Sequence, residues 1–320
     1  MSTFESADAA LLHEEEAIAF DCEGEHLVGI LSKPKHSCRH TGVLIVVGGP
    51  QYRAGSHRQF VQLARELADR GWPCLRFDAR GMGDSTGPLT GFEGVTADIE
   101  AALSSFRRAA PGLHRVVLWG LCDAASAALL YIDDTADERI AGLVLLNPWV
   151  RAEQTYARAQ VKGYYARRVL SPDLWRSILR GGVSLSSLAD FMRACSSAMR
   201  RTAAAGTNAE TLTYQQRMAR GWGRFSGPSL LVLSGRDLTA SEFIERCRTD
   251  PRFSSICGSS LVTTRTLPEA DHTLSCAASS AAHLEDIERW LQDKCPEPAE
   301  PATAAARAAD HVPHATRVTP

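Results

Sequence analysis

One cysteine lies where the chain passes from a strand pattern to a helix pattern. The apolar run at 116–119 predicts a buried strand, Gly120 ends it, and an alanine-rich helix is predicted at 123–131. Cys122 therefore falls in the turn, within the sequence Gly-Leu-Cys-Asp-Ala. This is the Gly-x-Ser-x-Gly pattern of a nucleophile elbow, with Cys in place of Ser and Ala in place of the second Gly.

The small residues around Cys122 have a physical purpose. In so tight a turn, the positions two before and two after the nucleophile nearly touch, so Gly120 and Ala124 must carry little or no side chain. A helix N-terminus would also stabilise a thiolate at Cys122, through its dipole and its free N–H groups. The alternative is a buried structural cysteine, since free cysteine is among the most buried residue types.

A thiol nucleophile needs a base, and the base needs an orienting carboxylate. Asp237 follows the strand predicted at 228–234, and His272 follows the last predicted strand. The order nucleophile, acid, histidine, with the last two after late strands, is that of the α/β-hydrolases. Asp271 is a rival acid, but a residue adjacent to the histidine points away from it in an extended segment. We therefore expect a triad of Cys122, Asp237 and His272.

A glycine-rich turn follows the buried β-branched strand at 43–47. An oxyanion hole needs two backbone N–H donors, and in this fold one follows the nucleophile and the other lies in such a loop. We expect the first donor from Asp123. Pro50 has no N–H, so Gln51 is the favoured second donor and Gly49 is the runner-up. The alternative is that the glycines form only a tight turn.

Other charged residues surround the predicted site. Arg53 and His57 could bind an anionic substrate group, or could equally be solvated. Three residues of the next polar turn are expected to be structural: Asp78, Arg80 and Asp84. Asp123 is unusual, because its negative charge beside Cys122 would oppose thiolate formation.

Strand and helix patterns alternate as far as residue 149, which is typical of a doubly wound, mostly parallel α/β sheet. No strand pattern appears for the next seventy-five residues or so, and an insertion of that length is usually a lid or cap. The predicted organisation is a loose N-terminus at 1–15, a core at 16–149 and 226–293, a helical cap at 150–225, and a disordered tail at 294–320.

Composition narrows the class of protein. The 320 residues are 44% hydrophobic and 22% charged with a net charge of −2, which suits one large domain with an appendage and no nucleic-acid partner. No apolar run is long enough for a transmembrane helix, and the acidic start of the chain lacks a signal sequence pattern. Nine cysteines without a Cys-x-x-Cys pair indicate neither a zinc site nor a disulfide scaffold, so we expect no metal or cofactor and a cytoplasmic location.

Three motifs together resemble one particular family. They are Gly-Gly-Pro-Gln-Tyr-Arg-Ala-Gly-Ser-His at 48–57, Phe-Asp-Ala-Arg-Gly-Met-Gly-Asp-Ser at 77–85 and Trp-Gly-Leu-Cys-Asp-Ala-Ala at 119–125. Over roughly residues 17 to 293 the chain resembles the exosortase A system-associated hydrolase 1 family, found in bacteria whose exosortase systems sit beside exopolysaccharide genes. The resemblance implies an α/β-hydrolase fold and the triad above, but no substrate. Dienelactone hydrolases are similar only in using a Cys nucleophile on this fold.

The expected activity is hydrolysis of a small-molecule ester or thioester through an acyl-enzyme on Cys122. A second hypothesis passes the same acyl group to a sugar hydroxyl or another acceptor. A third is a non-catalytic binding protein, against which an intact triad argues, since a scaffold has no need of Asp237 or His272.

Overall fold

Eight strands form one sheet in the order β1-β2-β4-β3-β5-β6-β7-β8. The computed structural model describes residues 12–36, 38–49, 51–151 and 212–296. The strands are β1 (His13–Cys22), β2 (Glu25–Pro34), β3 (Thr41–Val46), β4 (Cys74–Phe77), β5 (Arg115–Leu121), β6 (Ile140–Leu146), β7 (Ser229–Ser234) and β8 (Val262–Leu267). The α-helices are α1 (Gln59–Asp69), α2 (Thr96–Ala109), α3 (Asp123–Thr135), α4 (Tyr214–Arg224), α5 (Leu238–Thr249), α6 (Pro251–Cys257) and α7 (Ala277–Lys294).

The sheet is antiparallel at one end and parallel through the rest. β1 and β2 form a hairpin, and β2 pairs antiparallel with β4. From β4 through β3, β5, β6 and β7 to β8 every neighbouring pair is parallel. The prediction of a mostly parallel doubly wound sheet is confirmed. Because the carboxyl ends of parallel strands meet at one edge, the turns after β3, β5, β7 and β8 lie together there.

The central strands are buried on both faces, as their apolar runs predict. Every residue of β3 and of β6 is buried. Helix α1 covers the sheet with Phe60, Ala64 and Leu67, at three- and four-residue spacing. The ring of Phe60 packs edge-on against Trp119 of β5, with centroids 5.5 Å apart. The strand that leads to the predicted nucleophile is therefore fixed within the core.

Strand β1 begins earlier than the apolar pattern predicts. It starts at His13, inside the segment expected to be loose, 1–15. The His13 ring lies 2.7 Å from the carboxylate of Asp69 on α1, and Glu15 accepts a 2.9 Å hydrogen bond from Arg76 on β4. These polar contacts join elements distant in sequence, so hydrophobic periodicity does not reveal them.

Most of the predicted cap, together with the tail from residue 297, lies outside the described residues. Helix α4, inside the range predicted as cap, begins with a capping box between Thr213 and Gln216 and packs against α3. Its Gly221 approaches α3 so closely that an added Cβ would lie 2.5 Å from the Leu129 carbonyl oxygen. Helix α6 was not predicted, since seven residues are too few for a clear helical period. Within the described ranges, each helix is too short or too polar to cross a membrane.

Candidate active site

Cys122 lies in a strained turn between β5 and α3. Its backbone has φ 61° and ψ −121°, a conformation that non-glycine residues rarely adopt. The turn is held by its neighbours: the Cys122 N–H donates to the Leu146 carbonyl at 2.9 Å, and the Trp149 N–H donates to the Cys122 carbonyl at 3.1 Å. Strain that surrounding hydrogen bonds maintain is common where a nucleophile must be exposed.

The close approach expected between Gly120 and Ala124 is present. A Cβ at Gly120 would lie 2.6 Å from the carbonyl carbon and oxygen of Ala124. No side chain fits there without moving the helix, so the small residues allow the elbow to turn. Cys122 itself is half-buried, at the first turn of α3.

Asp237 and His272 are joined at the same sheet edge. The Nδ1 of His272 lies 2.8 Å from Oδ2 of Asp237. Asp237 caps α5, and its carboxylate accepts the N–H groups of Thr239 and Ala240 at 3.1 and 3.3 Å. Burial opposes ionisation of Asp237, but these hydrogen bonds and the histidine outweigh it and lower the carboxyl pKa.

His272 is a strong base in this setting. Its pKa is raised to about 10, first by the hydrogen bond with Asp237 and next by the hydrogen bond with Cys122, against the opposing effect of burial. The imidazole therefore lies between the carboxylate and the thiol. The position of the imidazole suits proton transfer between His272 and the thiol.

Asp271, the rival acid, has a different partner. Its carboxylate accepts the Ser275 N–H at 2.9 Å and also the Ser275 hydroxyl. It closes the turn after β8 rather than orienting His272. Within the part of the chain that the structure describes, the imidazole is hydrogen-bonded to Asp237 and not to Asp271.

The predicted oxyanion donors lie around one cavity of ≈ 290 Å³. Gly49, Gln51, Cys122 and Asp123 all line it. The Gly49 N–H donates to Oδ2 of Asp123 at 2.8 Å, so the runner-up donor is occupied by a side chain of the protein itself. Aromatic and aliphatic side chains form much of the remaining wall: Phe60, Phe92, Leu121 and Trp149. A mostly apolar cavity with few polar groups suits an acyl group.

Arg53 is not among the described residues that line this cavity. Its guanidinium pairs with the buried carboxylate of Asp78 and, at 2.6 Å, with Asp84. Both partners are carboxylates of the neighbouring turn, so Arg53 has a structural role here, and binding of an anionic substrate group by Arg53 stays a prediction. Asp78 also accepts the backbone N–H of Arg53 at 2.6 Å. Exposed His57 is not among the described residues lining the cavity either.

The sequence analysis missed the residues that align the strand ends. Asn147, with φ 48°, donates to the Ser234 hydroxyl at 3.0 Å and accepts the Ser234 N–H at 2.8 Å. Ser126 donates to the Trp149 carbonyl at 2.6 Å. Asn147 ties the end of β6 to the end of β7, three residues before Asp237. The sequence signal that could have identified Asn147 is an asparagine directly after a buried strand.

These features together define a class of protein. A cysteine on a strained strand-to-helix turn, with an Asp–His pair after two later parallel strands, is the arrangement of an α/β-hydrolase. Residues 40–275 match the model of the serine aminopeptidase S33 family. The chain belongs to this family. The family is named for a serine, whereas this chain carries Cys122 at its elbow.

Individual proteins match this chain either over a short stretch or at low sequence identity. Human protein ABHD12B is 36% identical over 107 residues, which are 31% of this chain and 27% of the human protein, so the match spans about a quarter of that relative. The Pyrococcus furiosus esterase Pf2001 has a TM-score of 0.59 at 17% identity, over 89% of this chain and 94% of the esterase. Est1E from Butyrivibrio proteoclasticus, solved with ferulic acid bound, has a TM-score of 0.55 at 15% identity, over 87% and 99%. The identities to these two solved structures, 17% and 15%, indicate a shared fold alone.

Proposed function

We propose that this protein hydrolyses a small ester or thioester through an acyl-enzyme on Cys122. The observation that carries the proposal is the 2.8 Å contact between Asp237 and His272, together with the pKa of His272, which Asp237 and then Cys122 raise. An orienting carboxylate, a base and a thiol in sequence are the requirements of nucleophilic acyl transfer.

In the proposed first step, the sulfur of Cys122 forms a bond to the acyl carbon and the carbonyl electrons move to oxygen. The N–H of Asp123 and that of Gln51 stabilise the oxyanion. The bond to the alcohol or thiol leaving group then breaks, and His272 gives that group the proton it took from Cys122. In the second step, water attacks the thioester, His272 accepts its proton, and the acid is released with the thiol restored.

The nucleophile also favours a second candidate, an acyltransferase. A thioester is a good acyl donor, so the acyl group on Cys122 could pass to a hydroxyl instead of to water. The resemblance to the exosortase A system-associated hydrolases, which are found beside exopolysaccharide genes, supports a sugar hydroxyl as that acceptor and a role in the same system. Both candidates share the first half-reaction and differ in the second.

Intact-mass spectrometry tests the shared step. The protein is mixed with a panel of acyl thioesters and activated esters, quenched in acid and weighed, with Cys122→Ala and Cys276→Ala as matched variants. We expect a transient adduct in the wild type and in Cys276→Ala, an exposed cysteine, and none in Cys122→Ala. The adduct mass identifies the acyl group, and adding sugars separates transfer from hydrolysis. An adduct that persists in Cys122→Ala would overturn the proposal.

A further inference from the structure

The carboxylate of Asp123 contacts the glycine-rich turn after β3 and lines the cavity beside Cys122. Its Oδ2 accepts the Gly49 N–H at 2.8 Å, and a Cβ at Gly48 would lie 2.0 Å from its Oδ1. The carboxylate thus fills the space that the missing side chain of Gly48 leaves open. Gly49 has φ +60°, a left-handed conformation that glycine adopts without cost.

Burial and hydrogen bonding have opposite effects on the ionisation of the Asp123 carboxyl. Burial raises the pKa of the Asp123 carboxyl, whereas the N–H groups of Gly49 and Ala124, its own N–H and the nearby His272 favour the ionised form. The first turn of α3 adds its dipole. The donors that stabilise this carboxylate include one that the proposed oxyanion hole uses, the Asp123 N–H, and the runner-up donor, the Gly49 N–H. A charged oxygen acceptor resembles the oxyanion itself.

Asp123 also lies between two cavities. It lines the one beside Cys122 and a second, of ≈ 320 Å³, whose wall includes Met82, Leu89 and Val95. Gly48 and Gly49 line both cavities as well. Open space therefore adjoins the side chain in both cavities.

We propose that the Asp123 carboxylate is an internal competitor for the oxyanion hole. In the resting enzyme it interacts with the N–H of Asp123 itself as well as with that of Gly49, and the carbonyl oxygen of the substrate must displace it from the shared Asp123 N–H before Cys122 attacks. The inference rests on the proposed acyl-enzyme function. Asp123 is then a positioning residue with two opposite effects. Its backbone N–H binds the oxyanion, whereas its side-chain carboxylate competes with the oxyanion for backbone donors.

The competition has a defined pH dependence. The ionised carboxylate is the stronger acceptor, so competition is greatest above its pKa and falls as the pH decreases through that value. Three other groups near it carry charge or titrate: the Cys122 thiol, the His272 imidazole, and Arg80, which lines the second cavity and is paired with Asp98 and Glu23. These groups are the same in a variant at position 123, so a variant-to-wild-type ratio at each pH cancels most of their effect.

The test measures kcat/KM for 4-nitrophenyl butyrate between pH 5 and 8.5 in the wild type, Asp123→Ala and Asp123→Asn. We expect Asp123→Ala to exceed the wild type by about tenfold at pH 8, equivalent to about 1.4 kcal/mol, and by a smaller factor at the acidic end of the range, where the protonated carboxyl resembles the amide of Asp123→Asn. Asparagine keeps an oxygen acceptor for Gly49 without the charge. At pH 8 the kcat/KM of Asp123→Asn should therefore lie between those of the wild type and Asp123→Ala. The ratio of the two variants should not change with pH.

A second measurement does not depend on turnover. Butyrate, a carboxylate like the product, should inhibit Asp123→Ala at about tenfold lower concentration than the wild type at pH 8, because the donors are free and one negative charge is gone. An alanine variant that is slower than the wild type at every pH, or a ratio that stays constant with pH, would overturn the inference. Asp123→Asn, which is isosteric, supplies the same test if the alanine variant fails to fold.

Failure of this inference can be told from failure of the proposed function. Cys122→Ala is assayed beside the position 123 variants. If it is inactive while Asp123→Ala behaves like the wild type, the acyl-enzyme proposal stands and the competition does not. If Cys122→Ala keeps full activity, the proposed function itself is wrong.

Discussion

The Oδ2 of Asp237 and the Nδ1 of His272 lie 2.8 Å apart, although 35 residues separate them in the chain. β7 and β8 are parallel neighbours, so the turns that follow them meet at the same sheet edge. Hydrogen bonds from the N–H groups of Thr239 and Ala240 also hold the carboxylate in place. The contact therefore depends on the α5 cap as much as on the strands.

Replacing Asp237 by Asn tests whether this contact orients the base. The isosteric amide cannot stabilise the imidazolium and favours the wrong tautomer, so we expect kcat to fall by roughly 10³- to 10⁴-fold. Asp271→Asn is the matched control, since Asp271 is bonded to Ser275 instead, and we expect activity within about threefold of the wild type. Equal losses in the two variants would contradict the assignment of Asp237.

Cys122→Ala and His272→Ala test whether the thiol and the base act as one unit. Each change should reduce kcat to near background, and the double variant should be scarcely slower than either, because members of a triad are strongly non-additive. The measurement is the rate at which each variant releases the alcohol from an activated ester, corrected for the uncatalysed reaction. Losses that multiply in the double variant would mean that the two side chains act independently.

Much of this site could be predicted from the sequence because its parts are local. The need for small residues at Gly120 and Ala124 follows from the tight turn alone, and the placement of Asp237 and His272 follows from the order of strands. The direction of a side chain in the folded protein could not be predicted. The pairing of Arg53 with Asp78, and the bond from Gly49 to Asp123, form only when turns distant in sequence are brought together.

Gly120→Ala tests the geometry of the elbow. An added Cβ would lie 2.6 Å from backbone atoms of Ala124, which cannot move without shifting α3. We expect a loss of about 1–3 kcal/mol in the free energy of unfolding and loss of activity. Gly223→Ala in α4 is the control, because its Cβ would meet Ile256 at an ordinary 3.6 Å and alanine favours a helix by about 0.5–1 kcal/mol. Urea denaturation measures both, and a tolerated Gly120→Ala would contradict the packing.

Glu15→Gln tests the ion pairs that extend β1 beyond its apolar pattern. Burial of Glu15 opposes ionisation, but Arg65 and Arg76 outweigh it and lower the pKa to about 2 from 4.5. The ionised carboxylate therefore contributes stability above pH 4.5, and this contribution is lost as the pH falls towards 2. We expect the variant to be about 1–3 kcal/mol less stable at pH 7, with a difference that narrows below pH 4.5.

The control for this comparison is Glu14→Gln, on the same strand. Glu14 is exposed, and its nearest basic partner, Lys33, is 3.9 Å away, so the change should cost little at any pH. Urea denaturation at pH 7, 5 and 4 gives both differences. A Glu15→Gln difference that is independent of pH would show that packing, rather than charge, accounts for it.

Cys122→Ser tests why the chain carries a cysteine where the family is named for a serine. A serine hydroxyl is far less acidic than a thiol, so it depends entirely on His272 to take its proton in the transition state, whereas the thiol can be ionised before substrate arrives. The C–O bond is also shorter than the C–S bond, so the oxygen would lie a few tenths of an ångström from the position that His272 serves. We expect hydrolysis of activated esters to fall by roughly 100-fold or more, about 2.7 kcal/mol.

An oxygen ester is a poorer acyl donor than a thioester, so in Cys122→Ser transfer to hydroxyl acceptors should fall further than hydrolysis if transfer is the activity. The ratio of transferred to hydrolysed product, measured for both proteins with the same acyl donor, separates the two candidates. A serine variant as active as the wild type in both reactions would mean that the cysteine is an incidental replacement in a serine-type hydrolase.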